Sequence, residues 1–151
     1  MKISDSLVVD YPIQQVWDLL QDPHRSAAAL PGVQTLEVVD DTTFTVSVAQ
    51  RIGPFRAQFQ LSMTLTEVDP PNRLVATGQG KEAGGTVIKV SSAVIELEAL
   101  TGDQTRLSFD IDFSLLGKLG TLGYPVIKHK AGEMARRFAE NLRKELADDL
   151  Q

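Results

Sequence analysis

The sequence predicts an α+β protein: a seven-stranded, curved antiparallel sheet wrapped around one long C-terminal helix, with two short helices between strands one and two. Three observations carry this. Helical periodicity runs from Thr121 to Asp148, with apolar residues at Ile127, Ala131, Met134, Phe138 and Leu142 and again at Ala135, Ala139 and Leu146. Those steps draw one apolar stripe along a helix about 42 Å long. Strict alternation runs from Phe55 to Leu65, setting Phe55, Ala57, Phe59, Leu61, Met63 and Leu65 against Arg56, Gln58, Gln60, Ser62 and Thr64. That is an antiparallel strand about 36 Å long with one wet face, close to the helix in length. Every tight connection joins neighbouring strands, so the sheet is expected to be antiparallel.

Taken in order, Ile3, Leu7 and Val9 alternate as a first strand, and Asp5 shares their parity. Asp5 is therefore expected to point inward or sit at a bulge. Pro12 opens a short helix with Val16, Trp17, Leu19 and Leu20 on its apolar side. Asp22-Pro23 stops it, because a residue before proline avoids helical angles. Arg25 to Leu30 reads as a second short helix, ended by Pro31-Gly32.

Strands over Gln34–Val39 and Phe44–Gln50 form a hairpin around Asp40-Asp41-Thr42. Gly53-Pro54 turns the chain into the alternating strand, and Asp69-Pro70-Pro71-Asn72 turns it out again. Arg73 to Gly78 is a shorter strand. Gln79 to Gly85, with Gly80, Gly84 and Gly85, reads as a flexible loop. Thr86 to Leu100 is a long strand whose pattern breaks near Lys89 to Ser92, the sign of a bulge. After Thr101-Gly102-Asp103, Leu107 to Leu115 alternates as the last strand, and Gly117 and Gly120 lead into the long helix, expected over about Leu122 to Ala147. Phe138 falls mid-stripe and is expected to face the sheet.

Residues 1–151 are read as one domain, large enough to bury a substantial core. The sequence holds no cysteine, no run of 18 apolar residues and no apolar leader in its first residues. A cytoplasmic protein is expected, peripheral at most at the inner membrane face. The net charge of −5 excludes a phosphate backbone as a general partner, so no nucleic acid is expected. The charge is uneven. Lys118, Lys128, Lys130, Arg136 and Arg137 against Glu133 give residues 118–137 a charge of +4, leaving −9 elsewhere. Such a segment reads first as a solvated helix face, and alternatively as a weakly basic surface for an acidic partner or an anionic membrane.

No catalytic signature is present. His24 and His129, the only histidines, lie in separate elements without carboxylates at ligand spacing, so neither a metal nor another cofactor is expected. Gly78-Gln79-Gly80 lacks the third glycine of a dinucleotide loop. Asp5, by its inward parity, and the Tyr124 phenol are the candidate acid–base groups.

The order of elements resembles the START/Bet v 1-like helix-grip superfamily, also called SRPBCC. Four stretches are similar to one family within it, the CoxG family of carbon monoxide dehydrogenase subunits. They are Val16-Trp17 with Asp22-Pro23; Leu30-Pro31-Gly32-Val33; Ile52-Gly53-Pro54-Phe55 with Asp69-Pro70-Pro71-Asn72-Arg73; and Leu116-Gly117-Lys118-Leu119-Gly120. The resemblance implies a cavity for an apolar small molecule. It also implies an accessory role for a molybdenum hydroxylase, through membrane recruitment or carriage of a quinone-like lipid. Members with the best-defined membrane role carry a further C-terminal tail, whereas this sequence ends at Gln151 after the helix, so tail anchoring is not expected.

By analogy with that fold, the cavity is expected between Phe59, Leu61, Met63, Phe109 and Ile111 of the sheet and Tyr124, Ile127, Ala131 and Met134 of the helix. The loop at 79–85 would gate it. The leading expectation is a non-catalytic carrier of a lipid or quinone-like molecule. The alternatives are a cyclase or dehydratase using the same cavity, and an interaction subunit whose core is filled.

Overall fold

A computed structural model describes residues 1–149, so the sequence end at Gln151 lies outside the described residues. The elements are β1 (Lys2–Val9), α1 (Ile13–Gln21), α2 (Pro23–Ala29), β2 (Val33–Val38), β3 (Thr43–Ile52), β4 (Phe55–Asp69), β5 (Arg73–Glu82), β6 (Val87–Thr101) and β7 (Gln104–Leu116). A 3-10 turn over Lys118–Leu122 leads into α3 (Tyr124–Asp148). The strands form one curved antiparallel sheet in the order β1-β7-β6-β5-β4-β3-β2. β2 through β7 are a continuous meander, and β1 pairs with β7. The two edge strands, β1 and β2, are joined by α1 and α2.

Each local device has a sequence cause. Asp22 ends α1 and at the same time caps α2, accepting from the His24 and Arg25 amides at 3.0 and 3.4 Å. Pro23 takes the first helical position, so α2 starts two residues earlier than Arg25. Gly32 has φ +84°, and a Cβ there would collide with the Ala49 carbonyl, so the turn into β2 demands glycine. Gly123, at φ +88°, separates the 3-10 turn from α3, which is why the helix begins at Tyr124 and not at Leu122. The pattern break in β6 is a register shift between Val90 and Ser92.

The β2–β3 hairpin closes on Asp40. Its Oδ1 accepts from the Thr42 and Thr43 amides at 2.9 and 2.8 Å and from the Thr42 hydroxyl at 3.2 Å. These bonds, the Thr42 amide foremost, hold the carboxyl below its ordinary pKa of 3.8. A lowered folded-state pKa means that the stabilisation is fully present above about pH 4 and fades as pH falls through the folded value. An NMR titration of the Asp40 carboxyl should give a midpoint below that of an unfolded-chain aspartate. A midpoint at or above it would show an open turn.

Two sequence expectations are corrected. Residues 79–82 are not loop: Gln79 pairs with both Ser62 and Lys89, and β5 continues to Glu82. The glycines that suggested flexibility answer a packing need instead. A Cβ at Gly78 would collide with Met63 Sδ, and one at Gly80 with Leu61 Cδ2, so larger neighbours fill the bare positions. Asp5 is not buried. It lies opposite Phe109 in unbroken register, is exposed, and accepts from the Ser6 amide at 2.8 Å.

The core is divided. One cluster joins Val9, Val16, Trp17, Leu19, Leu20, Leu74, Leu97, Leu107, Leu142 and Leu146. The other joins Ile52, Ala57, Phe59, Val90, Phe113, Leu119 and Ile127. α3 spans both, with Ile127 in one and Leu142 and Leu146 in the other. Polar ties fix its C-terminal half: Asn141 Nδ2 donates to the Ala29 carbonyl at 3.0 Å, and Gln15 Nε2 to the Leu146 carbonyl at 3.2 Å.

Candidate ligand-binding site

The long helix stands over the sheet as a bridge rests on its ends. Its backbone nears the sheet chiefly along β1 on one side and β3 on the other. The apolar stripe is buried at Ile127 and again at Ala139, Leu142 and Leu146. Between them Ala131, Met134, Ala135 and Phe138 stay partly accessible to water. Phe138 leans on the Leu142 cluster, so the residue expected to be buried mid-stripe is only partly so.

The facing strands repeat this. Cross-strand partners share a face, and the pairs Leu61–Gly80, Met63–Gly78, Leu65–Ala76, Ala76–Ala93 and Ala93–Ile111 carry one side of the sheet from β4 to β7. Leu61, Met63, Leu65, Ala76, Ala93 and Ile111 are all partly accessible, although the same face is buried at Leu74, Leu97 and Leu107. Gly78 and Gly80 give β5 no side chain on this face, so Met63 and Leu61 lie over them, and Ala76 and Ala93 add little bulk beside them.

Of the nine residues expected to line a cavity, Phe59, Leu61, Met63, Ile111 and Ile127 meet in or against the Phe59 cluster. Phe59 and Ile127 are 8% and 6% exposed, so these two act as packed wall. Phe109 belongs to the other cluster, and pairs with the exposed Asp5 on β1. Ala131 and Met134 join neither cluster and are partly accessible. Tyr124 departs furthest: it is 43% exposed and its hydroxyl donates to the Lys2 carbonyl at 3.1 Å, tying α3 to β1. Lys128 Nζ lies 5.8 Å from its ring centroid.

Two surface concavities lie outside this set. One, about 320 Å³, runs along the first half of α3 and is lined by Arg51, Gly53, Pro125, Val126, His129, Lys130 and Glu133. The other, about 280 Å³, lies over β4, β5 and β6 and carries Ser62, Thr64, Thr77, Gln79, Lys89 and Ser91. Parity puts those six on the opposite side of the sheet from Leu61 and Met63. Both are open surface features, and the titratable groups of the first include the Lys130–Glu133 ion pair at 3.6 Å.

Sequence reasoning missed Glu82. It lay in the segment read as loop, yet it is 8% exposed and shares a face with Phe59, its cross-strand partner. The available signal was parity. Glu82 follows Leu74, Ala76, Gly78 and Gly80 at even spacing on one strand. Among the described residues, no group of three or more His, Asp or Glu is gathered as metal ligands, and no helix is long and apolar enough to cross a membrane.

Solved structures share this architecture from end to end. A conserved protein from Geobacillus kaustophilus superposes with a TM-score of 0.90 at 18% identity, covering 98% of this chain and 96% of that one. A START superfamily protein from Mycobacterium smegmatis gives 0.70 at 14% identity, covering 99% of each chain. The Zhui aromatase/cyclase from Streptomyces gives 0.65 at 14% identity, covering 99% and 92%. At these identities the likeness establishes the START-like helix-grip fold alone. No curated protein matches the sequence. Residues 6–147 match the CoxG family of carbon monoxide dehydrogenase subunits, and the chain belongs to that family.

Proposed function

We propose that this protein binds an apolar small molecule, lipid or quinone-like, in the space between α3 and the sheet, as a non-catalytic accessory factor of a carbon monoxide dehydrogenase-type molybdenum hydroxylase. The observation that carries the reading is the divided core. Ala131 and Met134 lie on the helix stripe that buries Ile127 and Leu142; Leu61, Met63 and Ile111 of the sheet pack against the Phe59 cluster; and all five apolar residues remain partly accessible to water. Interiors normally pack to the density of organic crystals. Leaving this apolar surface wet costs about 25 cal/mol per Å², which an apolar ligand would recover. Phe59 and Ile127 close one end and Phe109 the other, while Tyr124 holds α3 to β1 beside the opening.

Family membership supports the hydroxylase as partner. The basic segment 118–137 supports contact with an acidic face of that partner, or weakly with the inner surface of the membrane: Lys118 and Lys128 flank the exposed Leu116, Tyr124 and Val126. In this reading the protein works in the cytoplasm. Native mass spectrometry of the purified protein, before and after organic extraction, tests the carrier function. A mass excess that extraction removes, and that reappears with an added apolar probe, is expected. Protein that carries nothing and takes up no probe would favour an interaction subunit with a self-filled core.

A further inference from the structure

We infer that Glu82 sets the head-group specificity of the space beneath α3, selecting apolar ligands whose polar end donates a hydrogen bond or carries positive charge, and rejecting carboxylates. This rests on the carrier reading and goes beyond it by naming the ligand's polar end, which for a quinone-like lipid means the reduced, hydroxyl-bearing form. Glu82 is the only charged side chain buried among the described residues. Register sets the face: Met63 faces Gly78, Leu61 faces Gly80 and Phe59 faces Glu82, so the side chain leaves β5 on the side of the three β4 residues, and its carboxyl then folds against Gly84 of the following turn. The two glycines before it leave that stretch of β5 without side chains.

Among the described residues only one of its oxygens is bonded to the protein, accepting from the Gly84 amide, and the other is not a buried orphan but touches solvent. The ion pairs among the described residues involve no Glu82, so no lysine, arginine or histidine neutralises it. A carboxylate offers about four acceptor positions, and buried acids are rare without a cation. If the side chain served only to close the turn after β5, an asparagine on the wet side would accept the same amide without the desolvation cost. An ammonium or hydroxyl group supplied by a ligand would complete the set. A ligand carboxylate would meet a like charge at a mostly buried group. Nearby, the Leu119 amide donates to the buried Thr86 hydroxyl at 3.1 Å and fixes the 3-10 turn against the same end of the sheet, so the head would rest on a rigid floor.

The test uses the full chain and the neutral fluorescent probe N-phenyl-1-naphthylamine, displaced at neutral pH by decylamine, 1-decanol or decanoate. Their chains are alike, so differences report the head group. In wild type, decylamine and decanol should displace the probe at least about tenfold more tightly than decanoate, the worth of one charge-assisted hydrogen bond. Glu82→Gln keeps an oxygen for the Gly84 amide and should close that gap to about threefold or less, mainly by admitting decanoate. Should the Gln variant not fold, Glu82→Asp, which draws the charge back by one methylene, should narrow the gap. Saturable probe binding with no head-group preference in wild type, or a preference that survives in the Glu82 variants, would overturn this inference and leave the carrier reading standing. No saturable probe binding would overturn both.

Discussion

Leu142→Ala should destabilise the protein by about 3–5 kcal/mol, and Met134→Ala by about 1 kcal/mol or less. The two side chains are similar in volume and sit on one stripe of α3, so chemistry alone predicts similar losses. Their surroundings decide otherwise. Leu142 is 0% exposed and packs in a cluster with Val16, Trp17, Leu107 and Leu146. α1 covers it from one side and the sheet from the other, and the Asn141 and Gln15 hydrogen bonds stop the helix from settling into a vacancy. A cavity there stays empty and the full penalty is felt. Met134 belongs to neither core cluster and is already partly accessible to water, so its truncation removes few buried contacts and opens no sealed cavity. Urea denaturation of both variants measures the difference. Equal losses would mean that α3 packs on the sheet along its whole length, with no room for a ligand.

The same contrast explains how one helix serves two purposes. Its C-terminal half, fixed by Leu142, Leu146 and Asn141 against α1, α2 and the sheet, anchors the fold. Its N-terminal half is held at Ile127 and through the Tyr124 hydroxyl, and from there towards Leu142 the stripe continues through Ala131, Met134 and Ala135. These side chains are small or flexible, the kind that can repack around a ligand of the proposed class.

Period was the legible part of the sequence. The alternation from Phe55 to Leu65 and the stripe from Ile127 to Leu146 are long enough that no competing pattern fits them, and element order with tight turns then left one antiparallel topology. Glycine was the illegible part. Gly78 and Gly80 read as loop because their intrinsic preference is loop, whereas tertiary packing uses their missing side chains to seat Met63 and Leu61. That error hid Glu82, since a charge in a loop draws no notice. Asp5 misled in the opposite sense. Its parity is inward, but β1 is an edge strand, and the inner face beside Phe109 is open to solvent. For the nine proposed lining residues, parity gave the face but not the fill. Whether a residue such as Phe59 packs as wall or borders open space depends on the distance between helix and sheet, which the order of residues does not encode.

Ala131→Trp should weaken binding of N-phenyl-1-naphthylamine by about 100-fold or more while changing unfolding free energy by less than about 1 kcal/mol. Ala131 lies one turn beyond the buried Ile127 and one turn before the half-buried Ala135, on the helix face turned to the sheet. An indole there would project toward Leu61, Met63 and Ile111 and occupy the volume proposed for the ligand. The two readouts separate the readings. If the space is open, the new ring buries apolar surface of its own, which offsets its strain, and the ligand loses its place. If the core is filled, the ring overpacks it and costs about 1–3 kcal/mol, with no ligand binding to lose in the wild type. Undiminished probe affinity in a stable Trp variant would place the binding site elsewhere, and the Val126–His129 groove on the outer side of α3 would be the next surface to block.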